Sequence, residues 1–497
     1  MEKISEAERR NALTSPDDYI RVAVVGNVDS GKSTLVGVLT KGACDDGRGS
    51  ARLKVFNYAH EAQNGRTSSI AQEIMGFDAD ARQVFAERFV QSKNKYWAEV
   101  AAASSKVVAL VDLCGHERYL KTTMLGMVGL VPDYVLIVVG ANLGLSRMTK
   151  EHLGIALALN LPFLVVVTKA DMVSDEVMKQ TLAELTKLLS ANVVGKKPLI
   201  IDYDDDDDSN SGRADGQAVD GLIAETRELR VHTQAQAQTQ ARLSDAQEAL
   251  LDKAVQMINS ERICPIFKVS SVSARGIPQL ARFLYKLKSR NGSSKEMKHA
   301  SAPVEFDVHE RFVVQGIGLV VSGLLKAGTV RANSQLLLGP NKSNEYRQVL
   351  VRSVHFNRVP VDEAYAGQFC CLALKPLKKK EELERADLRK GIVLLDASLM
   401  PKPCWAFEAE VSVLHHSSTI KAGYEAVMHV GVVRQSVHIV KMDAELLRTG
   451  DKGNVTFRFM FNSEHLKPNS TFLLREGRTK ILGFITRVYN KLDEIPA

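Results

Sequence analysis

The chain has 497 residues, 45% of them hydrophobic and 25% charged, with 65 Lys plus Arg against 58 Asp plus Glu for a formal charge of +7. That balance excludes a disordered or fibrous chain and gives enough length for about three domains, each with its own core. Six cysteines without a C-x-x-C pair, and no apolar stretch long enough to cross a bilayer, exclude a disulfide framework and a membrane span and point to reduced thiols in a cytoplasmic protein.

Residues 1–18 are polar and charged and read as a flexible tail without a signal segment. The first apolar run, 19–25, predicts a strand. It leads into Gly26-Asn27-Val28-Asp29-Ser30-Gly31-Lys32-Ser33 and then a helix-like stretch from Thr34. A strand, a glycine-bearing loop and a helix make a phosphate cradle, because the two glycines let successive N–H groups converge on an anion at the positive end of the helix dipole. Lys32 is placed to reach the outer phosphates, and Ser33 to offer a hydroxyl to magnesium. The next apolar run, 107–111, ends in Asp112-Leu113-Cys114-Gly115. Asp112 is expected to hold the magnesium through water, and Gly115, lacking a side chain, to bring its N–H close to a terminal phosphate.

A third apolar run, 163–167, ends in Thr168-Lys169-Ala170-Asp171. The Asp171 carboxylate can accept two hydrogen bonds from guanine N1–H and its exocyclic amine, a pattern adenine does not donate, while Lys169 lays its stem along the base. Helical periodicity follows at 176–189 and 245–258. Between them, near 202–244, an acidic and Gln-rich stretch that cannot bury a core predicts a disordered surface insertion. The strand at 266–269 ends in Ser270-Ser271-Val272, whose backbone N–H groups are expected to meet guanine O6. Alternating strands and helices over 19–290, each motif closing a strand, predict an α/β P-loop domain with a doubly wound sheet and its ligand at the carboxyl ends of the strands.

After a polar link the periodicity changes to that of short strands, expected at 303–308, 312–322, 335–338 and 346–356, with Gly316 and Gly318 at a tight corner. Two small antiparallel β-barrels, at 303–399 and 401–491, follow from this pattern. From Val304 onward there are 27 Lys plus Arg against 21 Asp plus Glu, so the barrels carry most of the positive surplus.

The motifs at 26–34, Gly65-Arg66-Thr67-Ser68-Ser69-Ile70, the stretch 112–124 and Thr168 to Asp171 resemble those of translation-factor GTPases of the elongation factor Tu and elongation factor 1-alpha class. The strongest likeness within it is to the GTP-binding protein 1 family. The resemblance spans nearly the whole chain and implies a GTPase, with GTP and GDP as substrate and product and Mg2+ as cofactor. It implies that His116 positions the attacking water, and that a hydroxyl from the 65–70 segment completes the magnesium shell: Ser69 by preference, Thr67 as the alternative. In that segment the isoleucine of a hydrophobic gate in front of the histidine is replaced by Ser68, while Val28 keeps the other half. Thr168 replaces an asparagine that pins the phosphate loop. Lys121 and Lys390 match positions that contact tRNA in elongation factor Tu. The implied partners are tRNA and the ribosome, with no membrane and a monomeric state. The alternative is a regulatory GTPase of RNA surveillance or mRNA decay that binds RNA or protein partners without delivering an amino acid.

Overall fold

Strands that are apolar along their whole length are stable only when both faces are covered, and five of them form the centre of an eight-stranded sheet. In the computed structural model, which describes residues 18–86, 93–202, 243–260, 262–290, 302–377, 388–477, 479–491 and 494, the strands are β1 (Tyr19–Gly26), β2 (Ala71–Phe77), β3 (Gln83–Val84), β4 (Lys106–Asp112), β5 (Tyr134–Gly140), β6 (Phe163–Thr168), β7 (Lys197–Ile201) and β8 (Ile263–Lys268). Their order is β3-β2-β4-β1-β5-β6-β8-β7. All neighbours from β4 to β7 are parallel, and β2 and β3 add antiparallel at one edge. The order runs outward in both directions from β1, so the loop after β1 opens at the switch point where ligands bind in such sheets.

Helices cover the sheet, among them α1 (Lys32–Lys41) directly after β1, and two short ones, α2 (Ser50–Leu53) and α3 (Ala59–Asn64), before β2. The helices expected at 176–189 and 245–258 are present as Asp175–Ser190 and Asp245–Ile258. Each is capped by a serine, Ser174 or Ser244, whose hydroxyl accepts from the backbone of the first turn. The expectations for the tail at 1–18 and the insertion near 202–244 fall almost wholly outside the described residues.

Asp17–Gly126 with Pro132–Arg290 form one compact unit, and the two barrels lie in a second. The first barrel closes through six antiparallel strands between Glu305 and Leu395, and the second through six between Ala406 and Tyr489. Where a single strand was expected at 312–322, two long strands, β9 (Glu305–Val314) and β10 (Gly318–Ala327), meet in a hairpin with Gly316 and Gly318 at positive φ in its turn. Gly323 permits the close packing of the same pair, since an added Cβ there would lie 1.9 Å from the Asp307 carbonyl oxygen.

The barrels lock to each other through Arg389. Its Nη1 donates to Glu464 Oε2 at 2.7 Å, its Nη2 to the Ser463 carbonyl and its Nε to the Pro340 carbonyl. All six cysteines are free thiols. Among the described residues no helix is long and apolar enough to cross a membrane.

Candidate nucleotide site

The loop after β1 takes its shape from a close approach. An added Cβ at Gly26 would lie 2.3 Å from the Val138 carbonyl oxygen, so only glycine fits between β1 and β5. Asp29 and Gly31 both have positive φ, which turns consecutive N–H groups toward one side and makes an anion nest. Ser30 Oγ closes the loop on the Asn27 carbonyl at 2.9 Å, and Lys32 Nζ reaches the same oxygen at 2.5 Å. Burial pushes the Lys32 ammonium below its usual pKa, against the pull of Asp112. A buried cation held only by carbonyl and distant charge is one that gains most when phosphate arrives.

Thr168, in the place of the resemblance's asparagine, still pins this loop. Its hydroxyl donates to the Ser30 carbonyl at 2.6 Å. A single hydroxyl thus does the work expected of an amide, with one donor in place of two.

Strand pairing brings the magnesium candidates together. Because β2 runs antiparallel to β4 with Ala71 opposite Asp112, the segment just before β2 is delivered to the end of β4. Ser33 Oγ donates to Asp112 Oδ2 at 2.6 Å, Thr67 Oγ1 lies 2.8 Å from Ser33 Oγ, and Thr67 Oγ1 is 3.3 Å from the same carboxylate oxygen. Asp112 is fully buried, and its Oδ1 has no hydrogen-bond partner among the described residues. Burial raises its pKa to about 6 although Lys32 and the hydroxyls of Ser33 and Thr67 pull it down. An uncompensated buried carboxylate oxygen beside two hydroxyls is a hard oxygen set of the kind that holds magnesium together with phosphate and water.

Ser69, the preferred hydroxyl in the sequence reading, is not part of this cluster. Its Oγ donates instead to Glu61 Oε1 at 2.9 Å, and Thr67, the alternative, stands where Ser69 was expected. The reason is the buried Glu61 of α3. It accepts six hydrogen bonds, from the N–H and hydroxyl of Ser68, the N–H and hydroxyl of Ser69, and the N–H groups of Asn57 and Tyr58. Burial alone would raise the Glu61 carboxyl; the bonds from Ser68, Ser69 and Asn57 hold it below its usual range. Nothing in the sequence pattern marks Glu61. A carboxylate six residues ahead of a Thr-Ser-Ser run is the only cue it offers.

Gly115 packs against the phosphate loop so tightly that an added Cβ would lie 2.5 Å from Lys32 Nζ and 2.7 Å from the Gly26 carbonyl oxygen. His116 follows, half-buried, with Nδ1 accepting the Arg118 N–H at 3.1 Å. That bond leaves Nε2–H as the proton-bearing nitrogen of a neutral ring. Val28, Lys32, Ser33, Arg66, Thr67, Gly115 and His116 line one cavity together with Arg52. Ser68, by contrast, is engaged by Glu61 and His60 and does not line it.

A second cavity is lined by Thr168, Lys169, Asp171, Ser271 and Val272, the guanine candidates, and it shares Asp29, Gly31, Thr34 and Arg52 with the first. Lys169 has φ 59° and Asp171 is exposed to the cavity. Of the three amides expected to meet the base, that of Ser270 donates to the Arg275 carbonyl and that of Val272 to Ser270 Oγ. Two of the three are therefore held inside the loop.

A phosphate nest, a magnesium-compatible oxygen cluster and a guanine-compatible pocket are thus continuous along the carboxyl edge of one sheet. The family described as elongation factor Tu GTP binding domain matches residues 17–289. The chain belongs to that family. Its relatives include GTP-binding protein 1 of Xenopus laevis, 39% identical over 96% of this chain and 64% of that protein, and GTP-binding protein 2 of Mus musculus, 37% identical over 94% and 69%. The chain therefore spans about two thirds of the length of these relatives. Elongation factor 1-alpha of Methanosarcina acetivorans is 23% identical over 87% of the chain. Among solved structures, a bacterial selenocysteine-specific elongation factor superposes with a TM-score of 0.59 at 18% identity, covering 94% of this chain and 58% of the other. Translation elongation factor SelB of Methanococcus maripaludis with a GTP analogue gives 0.58 at 16%, covering 95% and 79%. At those identities the likeness establishes the fold, a GTPase sheet followed by two barrels.

Lys121 and Lys390 are both exposed. Lys121 lies in the helix Leu120–Gly129, and Lys390 follows the barrel-locking Arg389.

Proposed function

We propose that this chain is a cytoplasmic, magnesium-dependent GTP switch that hydrolyses GTP and acts with tRNA and the ribosome. The observation that carries the nucleotide part is the convergence of Ser33, Thr67 and Asp112, with Asp112 Oδ1 buried and unpaired among the described residues, beside a cavity that Ser33, Thr67 and His116 line. Ser33 and Thr67 are the hydroxyl ligands in this reading, and Asp112 holds the ion through water. Magnesium, if bound there with nucleotide, would supply positive charge to offset that of the phosphates.

The residues of the chain do the positioning. The N–H groups of residues 27–34 and the Lys32 ammonium hold the phosphates in place, and the Gly115 N–H faces the last of them. His116, donating through Nε2–H, orients the water in line and stabilises negative charge as the bond to GDP breaks; the water's proton ends on the released phosphate. Phosphoryl transfer depends mainly on such positioning and electrostatics, and a ring that donates from Nε2 suits that work better than proton abstraction. At the other end Asp171 reads the base edge, Lys169 lies along it, and the Ser271 N–H meets O6.

The tRNA part draws support from the two basic-leaning barrels and from exposed Lys121 and Lys390. The test is a titration of the magnesium-GTP form against aminoacyl-tRNA and deacylated tRNA at stated salt, with the GDP form as control. Preference for the aminoacylated species seen only with GTP supports a carrier. Equal weak binding to both, insensitive to nucleotide, removes it and favours a GTPase of RNA surveillance or decay. For the chemistry, His116→Ala should retain GTP affinity and lose single-turnover hydrolysis; equal hydrolysis in both proteins, with ribosomes present, refutes the role given to His116.

A further inference from the structure

We propose that Arg52 is a nucleotide-binding residue whose guanidinium contacts the inner phosphates, the part common to GTP and GDP. The terminal-phosphate end of the site is marked by Gly115 and His116, which line only the first cavity, and the base end by Asp171 and Val272, which line only the second. Arg52 is shared by both, with Asp29, Gly31 and Thr34. Residues common to the two ends stand at the middle of the ligand, where the sugar meets the first phosphates.

The second observation is that the guanidinium is held but hardly used. It lies between Gly49 and Gly65, where an added Cβ would sit 2.5 Å from Nε and 3.2 Å from Nη2 respectively. Among the described residues it makes one hydrogen bond, from Nη1 to the Gly65 carbonyl, stretched to 3.5 Å, and Nε is buried without a partner there. Among the described residues it has no ion-pair partner. Five donors in a planar fork with so little to bind are matched to phosphate oxygens, which accept two at a time.

The third observation is preorganisation. The Asp45 carboxylate accepts the N–H groups of Gly47, Gly49 and Ala51 at 3.0, 3.1 and 2.9 Å, which folds the 45–51 loop into a knot. The Asp45 N–H in turn donates to the Ser271 carbonyl at 2.8 Å, tying the knot to the base-reading loop. On the other side α2 packs against α1 so closely that a Cβ at Gly37 would lie 2.3 Å from the Ala51 carbonyl oxygen. Arg52 is therefore carried by a segment braced between the two walls of the site, and little entropy remains to be lost when it engages a ligand.

This inference rests on the guanine-nucleotide reading of the site, and the experiment separates the two. Dissociation constants of fluorescent GDP and GTP are measured with magnesium at fixed salt for wild type, Arg52→Ala and Arg52→Lys. Arg52→Ala should weaken both nucleotides by a similar factor, roughly 10-fold to 100-fold for loss of charged hydrogen bonds, and Arg52→Lys should recover only part. Unchanged affinity in a variant that melts like wild type overturns the inference, as does a loss confined to GTP, which would move the contact to the terminal phosphate. If the variants do not fold, modification of Arg52 by phenylglyoxal in the unaltered protein decides the matter: GDP should protect it, and equal labelling with and without GDP overturns the proposal. Wild-type protein that bound neither nucleotide would sink the reading of the site itself.

Discussion

Glu61 Oε1 lies 3.0 Å from the backbone nitrogen of Ser69 and 2.9 Å from its hydroxyl, and accepts a hydrogen bond from each. The same oxygen takes both donors of Ser68, so the segment 65–70 is anchored by one buried carboxylate. The Cys114 thiol adds a weak bond to the Ser69 carbonyl at 3.5 Å. Glu61→Gln puts an amide that cannot accept in place of one carboxylate oxygen and removes the charge that strengthens the rest. With a cost of roughly 2–3 kcal/mol for buried charge-assisted bonds, amide exchange over residues 65–70 should rise more than tenfold. GTP hydrolysis should fall while GDP affinity stays near wild type. Unaltered exchange in that segment would show that Glu61 is not its anchor.

The division of labour between neighbouring hydroxyls gives a second test. Thr67 faces Ser33 and Asp112, whereas Ser69 faces Glu61. Thr67→Ala should raise the magnesium concentration needed for tight GTP binding several-fold, and Ser69→Ala should leave that midpoint in place while speeding exchange over residues 65–70. The reverse pattern in a magnesium titration would return the ligand role to Ser69.

At the base end, Asp171→Asn exchanges an acceptor for a donor at the edge of the purine. Xanthine, which presents a carbonyl where guanine carries its amine, should then be preferred, with GTP weakened by roughly 100-fold for the mismatch of buried or half-buried hydrogen bonds. Competition between XTP and GTP for the variant reads this directly, and unchanged GTP selectivity removes Asp171 as the base reader.

What was legible in the chain and what was not divide along physical lines. The strand, loop and helix around Gly26 and Gly31 were readable because backbone conformation and dipole are local properties, and the strands ending at Asp112, Thr168 and Lys268 were readable because continuous apolar runs have one stable place in a doubly wound sheet. Which of Thr67 and Ser69 stands beside Ser33 and Asp112 was not. It depends on where the Glu61 carboxylate lies after α3 folds back, a tertiary fact with no periodic trace. Arg52 and Asp45 were invisible for the same reason, since their loop has neither motif nor period. The stretch 312–322 misled because Phe312, Val313 and Val314 are apolar yet 42%, 64% and 38% exposed on a hairpin end; an apolar run there looks like a buried strand, and the two positive-φ glycines alone mark the reversal.

The seam between the barrels carries a proton-linked element. His465 is half-buried with Nδ1 3.4 Å from the Tyr346 hydroxyl, and Glu305, Asp307, Lys326 and Lys467 line the same recess. Burial, reinforced by Lys467, pushes its pKa from 6.5 down to about 4. Between those values the unfolded chain binds a proton that the folded barrel refuses, so stability falls as pH drops through this window. From pH 7 to pH 5 the loss amounts to about 2 kcal/mol. His465→Gln keeps size and polarity but cannot titrate, and should flatten the slope by that amount without altering its sign from other groups. Urea midpoints for the strand Ala406–His415, read by pulse-labelled hydrogen exchange in the full chain at the two pH values, report the difference. Parallel falls in wild type and variant would mean that His465 is not the group responsible.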